Sequence, residues 1–500
     1  MGGGDDEPHR QHPLQRPPAD HLHLELRGHR GPRGPGFAAG ACRVPHVFTP
    51  TRDVRVPGLQ RTRLSALRVN AEQGGAAGQL EEAGPAQAPG PNLCTSPGAA
   101  ETGQGRPRLD RRQGRGVVAG LPDVAAASPL GLYLHIPFCE AICNYCNFNR
   151  GVFDAGVKQQ YLGALSAEIA TCRDGSRVDS VFFGGGTPSV LEPSEVAGLI
   201  QRCRSSFDVD PATEITLEMN PETASPERLE GYRAGGITRL SLGVQSFRDE
   251  ELRRLGRLHT ADRAVEAFGL ARAAGFDDIS VDLMVWLPGQ TVSDWLESVE
   301  TMIDLGPDHA SMYLLELYPN APLREEMARG GWTQAPDDTA AEMYHAGLDR
   351  LEAAGYRQYE ISNVARPDRQ SRHNLKYWTD GAWVGFGCGA HSTRDGRRWH
   401  NVTETGAYID RVEGGTSPVA SCRTLSAEER LTDTLFLGFR LFEGVDMTAV
   451  EQRFGVDVWA RWGDELAPFV DAGLLTRDRG RLRLTRSGML LASEVMCVFV

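Results

Sequence analysis

The chain has 500 residues, a hydrophobic content of 40% and a formal net charge of -13 at pH 7. This length provides for a large domain with smaller ones beside it, and the hydrophobic content is that of a globular protein. The acidic charge excludes a general nucleic-acid-binding protein, which needs a basic face. The sequence has neither an apolar run of about 18 residues nor a signal-peptide pattern, so a cytoplasmic protein without a membrane span is expected.

Residues 1–128 differ in composition from the rest of the chain. They are rich in Gly, Pro, Arg, Ala and His and show neither helical nor alternating periodicity. Such a segment buries too little apolar surface to offset the entropy of ordering, so a disordered, low-complexity extension is predicted. Its scattered histidines are expected to be solvated rather than metal-bound. Because no Met lies between Met1 and Met219, a start codon read as valine near Val117 is an alternative origin of the segment.

Three cysteines follow the first strand-like segment. Tyr133 to Ile136 alternates as a strand does, and Cys139, Cys143 and Cys146 come next at a C-x3-C-x2-C spacing. Thiolates hold iron–sulfur clusters or zinc, and three ligands to a four-iron cluster leave one iron open. A structural zinc site needs a fourth ligand nearby, and an odd triplet cannot pair internally into disulfides. A 4Fe-4S cluster is therefore favoured over zinc or a disulfide.

This cysteine loop resembles the signature of the radical S-adenosylmethionine (SAM) superfamily, with an aromatic residue, Tyr145, before the last cysteine. The string Leu132-Tyr-Leu-His-Ile-Pro-Phe-Cys is similar to the branch that contains the oxygen-independent coproporphyrinogen III oxidases and their relatives, the haem chaperones. The resemblance implies that SAM binds the open iron and is cleaved to a 5′-deoxyadenosyl radical. It also implies that Tyr145 contributes to cofactor binding.

Short apolar segments alternate with amphipathic ones between Leu132 and about residue 330. Strands are predicted from 132 and at 179–183, 213–219, 237–244, 278–286 and 308–316, with helices at about 157–172, 192–206, 225–234, 262–274 and 292–305. The alternation indicates six βα units on a parallel sheet, with functional loops at the carboxyl ends of the strands. The resemblance implies the same α/β fold, a partial (β/α)6 barrel over residues 129–330.

Glycines and polar residues end several of these strands. Gly184, Gly185 and Gly186 end the second strand, where bare backbone can approach a ligand, although a plain turn is the alternative. An arginine suits the carboxylate of SAM, and acidic groups suit its amine, ribose and sulfonium. The resemblance implies a SAM pocket made of Tyr133, Gly185, Gly186, Thr187, Glu218, Gln245, Arg257 and Asp282. Each polar residue taken alone is also compatible with a helix cap or a surface group.

Two positions depart from the family pattern. Phe148 stands where the true oxidases have a further cysteine after the triplet, as it does in the haem chaperones, and this weakens the interpretation as an oxidase. Trp286 stands where a glycine usually precedes Leu-Pro-Gly-Gln. Its bulky ring is expected to alter either the barrel floor or the approach of SAM.

A motif after the barrel points to haem. Residues 331–423 are expected to extend the barrel, with a helix at 338–354, a strand at 356–363 and then an H-N-x-x-Y-W motif formed by His373, Asn374, Tyr377 and Trp378. The motif is similar to one associated with haem binding in the haem chaperones. Imidazole can ligate iron and aromatic rings can flank a porphyrin, whereas the alternative is a turn-capping histidine beside core aromatics. Cys388 and His391 are secondary haem-ligand candidates, or structural residues.

Residues 424–500 are predicted to form a small winged-helix-like domain. Helices are expected at 427–441, 447–454 and 457–472, then two strands at 474–476 and 481–484, and a last helix from 486. Winged helices often bind DNA, but this segment has no concentrated basic face. A lid over the barrel or a partner surface is therefore favoured.

The resemblance covers about residues 130–500 and implies a haem chaperone that uses a 4Fe-4S cluster and SAM and delivers haem to respiratory enzymes at the membrane. It implies an electron donor such as a flavodoxin or ferredoxin and no nucleic-acid partner, and it is compatible with a homodimer. One alternative is an oxygen-independent coproporphyrinogen III oxidase, which converts two propionates of a porphyrinogen to vinyls. Another is a haem-storage or scaffold protein with a vestigial cluster. Whether the protein is an enzyme stays open.

Overall fold

The computed structural model describes residues 129–318 and 321–500 of the chain. Its central feature is a 12-stranded sheet, and the middle of that sheet is six parallel strands in chain order. The first eight strands of the chain are β1 (Leu130–Ile136), β2 (Phe138–Cys139), β3 (Gly151–Val152), β4 (Arg177–Gly185), β5 (Asp208–Met219), β6 (Arg239–Gln245), β7 (Ile279–Val285) and β8 (His309–Leu314). Apart from the short pair β2–β3, these strands confirm the predicted (β/α)6 fold. The disorder predicted for residues 1–128 lies outside the described residues.

Helices connect the parallel strands. They are α1 (Ala155–Thr171), α2 (Pro193–Ser206), α3 (Pro226–Gly235), α4 (Asp249–Arg254), α5 (Ala261–Ala273) and α6 (Val292–Leu305). Polar side chains cap the first turns of several of these helices, as when Ser225 accepts a hydrogen bond from the backbone of Arg228 in α3. Thr291 and Asp294 form a reciprocal capping box at the start of α6. Such local signals explain why the predicted helix boundaries agree closely with the structure.

The parallel strands have an apolar side and a polar side. In β5, Ile215 and Leu217 belong to the main apolar core, whereas Thr216 and Glu218 line a cavity. The same alternation in β7 places Val281 in the core and Asp282 in the cavity. Because successive side chains of a strand point to opposite faces, the core stabilises one face and leaves the other for chemistry.

The segment after β8 extends the sheet at both edges. It contains α7 (Pro322–Gly330), α8 (Asp337–Ala353), β9 (Arg357–Glu360), β10 (Asn363–Ala365), α9 (Arg372–Trp378), β11 (Trp383–Phe386), β12 (His391–Arg394), β13 (Arg397–Asn401), α10 (Thr405–Glu413) and β14 (Val419–Thr424). Strands β10 and β9 continue the sheet beyond β8, and β11 to β14 continue it beyond β1. The strand expected at 356–363 is instead two strands, because the chain reverses between Glu360 and Asn363.

Helix α9, which carries the H-N-x-x-Y-W motif, lies at the amino ends of the first strands. The carboxylate of Glu214 in β5 accepts hydrogen bonds from the backbone N–H groups of Arg372 (3.0 Å) and His373 (3.1 Å). Lys376 donates to the carbonyl of Pro129, which directly precedes β1, at 2.7 Å. The helix therefore closes the floor of the barrel, opposite the carboxyl ends of the strands.

The C-terminal segment has an apolar cluster of its own. Its elements are α11 (Ala427–Gly438), β15 (Val445–Asp446), α12 (Met447–Phe454), α13 (Val458–Asp471), β16 (Leu475–Asp478), β17 (Arg481–Leu484), α14 (Arg486–Leu490) and α15 (Ala492–Met496). Leu435, Phe439, Trp462 and Phe499 lie in this cluster. Strand β15, which was not predicted, pairs with β17. No helix within 129–318 or 321–500 combines the length and apolar character needed to cross a bilayer.

Candidate cluster and cofactor site

The three cysteines lie on a loop whose ends are held together. The N–H of Gly151 donates to the carbonyl of Pro137 at 2.6 Å, and the N–H of Phe153 donates to that of Cys139 at 2.9 Å. These bonds form the short β2–β3 ladder at the carboxyl end of β1. Cys139, Cys143 and Cys146 are all free thiols on the loop that this ladder closes. The three sulfurs therefore belong to one constrained loop.

The middle of the loop is anchored by Asn144. Its backbone N–H donates to the carbonyl of Leu255 at 3.1 Å, and its own carbonyl accepts from the N–H of Leu323 at 3.1 Å. Its side chain donates to the carboxylate of Glu326 at 2.8 Å. The end of α4 and the start of α7 thus fix the backbone between two cysteines. The sequence analysis missed Asn144, although a polar residue inside a ligand loop is a usable signal.

Two side chains donate to the sulfurs. Arg257 Nη1 lies 3.4 Å from Cys143 Sγ, and Thr187 Oγ1 lies 3.5 Å from Cys139 Sγ. Such donors stabilise thiolates and orient them toward a metal. Burial raises the pKa of the Cys139 and Cys146 thiols, so binding of iron releases their protons. The site thus provides both the ligands and their supporting donors.

The glycines at the end of β4 leave no room for side chains. Gly185 has φ of +120°, and a Cβ there would lie 2.6 Å from the ring of His135. A Cβ on Gly186 would lie 2.7 Å from the Phe138 carbonyl and 3.0 Å from Cys139 Sγ. Only glycine lets the backbone pass this close to the cysteine loop. A cofactor that binds the cluster must approach this cysteine, and backbone without side chains leaves it room to do so.

Two half-buried carboxyl groups, of Glu218 and Asp282, line the cavity below the glycines. Glu218 accepts a hydrogen bond from the N–H of Gly185 at 3.2 Å, and Asp282 accepts from Ser241 at 2.8 Å. Both line a cavity of about 190 Å³ together with Tyr133. Burial and the nearby Asp282 raise the pKa of Glu218 to about 8. This carboxyl is therefore largely neutral at pH 7, and a bound cation would favour its ionised form.

Arg257 joins the cysteine loop to the ends of β5 and β6. Its Nη2 donates to Asn220 Oδ1 at 2.8 Å and to the carbonyl of Gly243 at 2.7 Å. Its Nε is buried without a hydrogen-bond partner among the described residues. A Cβ built on Gly243 would lie 3.0 Å from Gln245 Nε2, so Gln245 lies beside the same group. The guanidinium is thus fixed next to a cluster ligand and retains an unused donor for a carboxylate.

The structure brings together most of the residues that the sequence suggested. The cysteines, Gly185, Gly186, Thr187, Glu218, Gln245 and Arg257 surround the carboxyl ends of the strands, while Tyr133 and Asp282 lie deeper in the cavity. Tyr145 packs behind the loop against an apolar cluster that includes Leu255 and Met284. Free thiols, a glycine cradle, acidic groups and an arginine fit a thiolate-bound cluster and a cofactor with an amine and a carboxylate.

His373 lies at the floor end of this group, away from the cysteine loop, with its ring centroid 6.4 Å from that of Tyr133. Asn374 and Tyr377 of the same motif line the cavity with Tyr133. The side chain of His373 is fully buried in the barrel floor, with Nδ1 at 3.0 Å from Ser180 Oγ and Nε2 at 3.0 Å from the Tyr377 hydroxyl. The ring of Phe182 stacks on it at 5.3 Å. Burial lowers the pKa of His373 to about 3, so the imidazole is neutral. The guanidinium of Arg440 covers the Trp378 ring at 4.4 Å.

The two secondary haem-ligand candidates, Cys388 and His391, differ in their exposure to solvent. Cys388 is fully buried, and its Sγ lies 3.6 Å from both Asn149 Nδ2 and Thr405 Oγ1. His391, at the start of β12, is exposed. His400, which the sequence analysis did not single out, stands beside it on β13.

The two departures from the family pattern lie at the open end of the barrel. Phe148 is 64% exposed on the cysteine loop. Trp286 follows β7 directly with φ of +67°, a left-handed conformation that suits glycine. Its indole N–H donates to the carbonyl of Ala335 at 2.7 Å, so the ring is held against the segment before α8. Trp286 therefore lies at the end of the barrel opposite the floor, and the structure does not support the alternative in which it alters the floor.

If the cavity binds the SAM that the sequence resemblance implies, its affinity is expected to rise with pH because of Glu218. The raised pKa of this carboxyl, about 8, means that a cationic amine or sulfonium must displace a proton on binding at neutral pH. Affinity should therefore increase by up to about tenfold per pH unit below pH 8 and level off above it. Glu218→Gln should weaken that dependence, which calorimetric titrations at several pH values would reveal. Equal pH slopes in both proteins would contradict this role.

Comparison with protein families gives two matches. Residues 133–302 match the radical SAM superfamily, and residues 425–491 match the HemN C-terminal domain. Among solved structures, the fold is similar to coproporphyrinogen III oxidase (HemN) from Escherichia coli, a radical SAM enzyme. The TM-score is 0.67 and the identity 25%, over 75% of this chain and 90% of the other.

Curated relatives match over nearly their full length. The chain is 35% identical to the haem chaperone HemW of Bacillus subtilis over 74% of this chain and 98% of that protein. It is 37% identical to HemW of Mycobacterium tuberculosis over 75% of this chain and 96% of the relative. It is also 34% identical to the mouse mitochondrial radical S-adenosyl methionine domain-containing protein 1, over 80% of this chain and 92% of the relative.

Proposed function

Because the chain belongs to the HemW family of haem chaperones within the radical SAM superfamily, we propose that it binds haem and delivers it to respiratory enzymes. A single observation carries this proposal: the relatives named haem chaperones are 35% and 37% identical and are matched over 98% and 96% of their lengths. The similarity to HemN is lower, at 25% identity. An exposed Phe148 in place of the further cysteine of the oxidases supports the same choice.

The cysteine loop would hold a 4Fe-4S cluster through Cys139, Cys143 and Cys146. When bound, the cluster and SAM supply one-electron chemistry at the open iron. Thr187 and Arg257 donate to two of the sulfurs, which stabilises their thiolate forms. The anchored Asn144 keeps the loop backbone in one position between the two supporting helices. These residues preorganise the ligands before iron binds.

The surrounding residues would bind and orient SAM. Arg257 has a buried, unpartnered Nε for the carboxylate, and the bare backbone of Gly185 and Gly186 allows the amino-acid part to approach the loop. Glu218 and Asp282 would face the cationic groups and the ribose from inside the barrel. Tyr133 completes the cavity wall, and Gln245 lies beside Arg257 at the end of β6.

The remaining partners follow from this role. A cluster that accepts electrons needs a donor such as a flavodoxin or ferredoxin, and we propose one in the cytoplasm. The C-terminal segment, residues 424–500, would act as a lid or a partner surface rather than as a DNA-binding winged helix. A homodimer is compatible with the proposal. The acidic net charge of the chain supports a role of the C-terminal segment other than DNA binding.

The test is an anaerobic reconstitution of the full chain with iron and sulfide. Titration with haem should then give saturable, stoichiometric binding followed by the Soret absorbance. In parallel, coproporphyrinogen III with SAM and a reductant should remain undecarboxylated. Formation of protoporphyrinogen IX without stable haem binding would contradict the chaperone function and support the oxidase function. Haem binding that is independent of the cluster would instead favour a storage or scaffold protein.

A further inference from the structure

The histidines of the described residues fall into buried and accessible groups. In the buried group both ring nitrogens are hydrogen-bonded to protein atoms; it consists of His135, His259, His309 and His373. Within 129–318 and 321–500, only His345, His391 and His400 reach the surface. Haem iron takes an axial ligand through a free ring nitrogen, and the porphyrin needs space around it. In this structure the buried group offers no free ring nitrogen, although His309 lines the cavity of the barrel.

His391 and His400 form a pair across two strands. Strands β12 and β13 are antiparallel, with His391 opposite His400, and the ring centroids are 5.1 Å apart with planes at 29°. The Nδ1 of His400 is 3.1 Å from the carbonyl of Asn401 and donates to it. That bond fixes the tautomer in which Nε2 carries the lone pair. A backbone partner at one ring nitrogen is the usual support of a histidine that ligates a metal through the other.

The face that carries the pair also carries cations. Arg398 lies two residues before His400 on β13, and Arg423 lies opposite Arg398 on β14, so all three side chains share one face. The arginines are now paired with Asp433 and Glu429 on α11. Guanidinium groups beside an imidazole suit a metal ligand whose periphery bears carboxylates, and a porphyrin with two propionates is such a ligand.

The pair is tied to the cysteine loop through Asn149. This residue lies three positions after Cys146, and its side chain donates to the carbonyls of Cys388 (3.1 Å) and Thr403 (3.0 Å). Cys388 precedes His391, and Thr403 follows His400, by three residues each. The loops at the ends of β12 and β13 are joined in turn by a bond from the N–H of Gly389 to the carbonyl of Val402 at 2.7 Å. The same asparagine therefore holds the cluster loop and both strands of the pair.

We propose that the His391–His400 pair provides the imidazole that ligates haem iron, and that His373 is a positioning residue of the barrel floor. The inference rests on the proposed haem-binding function and names its ligand. Both rings project from one face of the sheet, so they lie on the same side of an approaching porphyrin and only one can ligate the iron. His400 has the fixed tautomer, and His391 packs beside it.

The test compares haem binding by full-length variants. The double variant His391→Ala/His400→Ala should lose at least about tenfold in haem affinity and lose the spectrum of imidazole-ligated haem in absorbance and electron paramagnetic resonance. Added free imidazole should restore that spectrum. His345→Ala removes the other accessible histidine and serves as the matched control, with affinity and spectrum unchanged. Circular dichroism would verify that each variant is folded.

The outcomes separate this inference from the proposed function. If the wild-type chain binds no haem, both fail. If it binds haem and the double variant keeps the wild-type affinity and spectrum, the ligand assignment alone is wrong. If folded His373→Ala loses the imidazole spectrum and the double variant keeps it, the haem ligand is His373 of the H-N-x-x-Y-W motif. The assignment to the pair predicts instead that His373→Ala retains the imidazole spectrum.

Discussion

The variant Cys139→Ala is expected to lose its iron–sulfur cluster almost completely. Cys139 is one of three free thiols on a loop that the structure holds closed at both ends. A cluster held by the two remaining thiolates lacks one ligand. Among the described residues, no group of three or more His, Cys, Asp or Glu is arranged to hold a metal ion in its place. Iron and sulfide after reconstitution should fall to below about one-tenth of the wild-type content.

The loss of SAM binding should follow from the loss of the cluster. Cys422→Ala is the matched control, because Cys422 is also a free thiol but lies exposed on β14. It should retain the wild-type iron content and SAM affinity. A Cys139→Ala protein with an intact cluster spectrum and normal SAM binding would contradict the ligand assignment and the roles proposed for Thr187 and Arg257.

Arg440→Met is expected to destabilise the protein by about 3–5 kcal/mol, because it leaves a buried carboxylate without its partner. Arg440 follows α11, and its guanidinium lies 3.2 Å from Glu360 in β9, with side-chain exposures of 4% and 1%. It also covers the Trp378 ring at 4.4 Å. This pair therefore connects the C-terminal segment to the barrel extension and to the H-N-x-x-Y-W helix. Urea denaturation monitored by tryptophan fluorescence would measure the change.

An exposed ion pair provides the comparison. Arg461 pairs with Glu428 at exposures of 42% and 55%, so Arg461→Met should change stability by about 1 kcal/mol or less. The double variant Arg440→Met/Glu360→Leu should recover part of the loss, because no unpaired charge remains buried. Similar effects of Arg440→Met and Arg461→Met would show that the buried pair does not connect the segments.

Much of the fold and of the cofactor site could be predicted from local patterns in the sequence. The family resemblance suggested Arg257, which lies beyond α4. Alternating apolar strands and capped helices give six βα units, and the rule that functional loops follow the carboxyl ends of strands places the cysteines and Gly185 near one another. These features depend on neighbours in sequence or on one topological rule. The helix predicted at 447–454 agrees with the structure to the residue for the same reason.

The parts that sequence reasoning missed depend on contacts between distant segments. Nothing near His373 shows that Glu214 caps its helix against the barrel floor, 159 residues away in the chain. His400 gained significance only when β13 placed it beside His391. The resemblance placed a glycine where Trp286 stands, but only the structure shows that this tryptophan keeps a left-handed backbone conformation. Long-range register and burial, rather than residue type, decide these roles.

The most direct test of the account is haem transfer from the reconstituted, haem-loaded chain to the apo form of a haem-requiring respiratory enzyme. Transfer would be followed by the recovery of that enzyme's activity and by the shift of the Soret band. We expect the wild-type chain with its cluster and SAM to restore activity, and Cys139→Ala to fail. Equal transfer by both proteins would contradict a role for the cluster, and no transfer by the wild type would contradict the chaperone function itself.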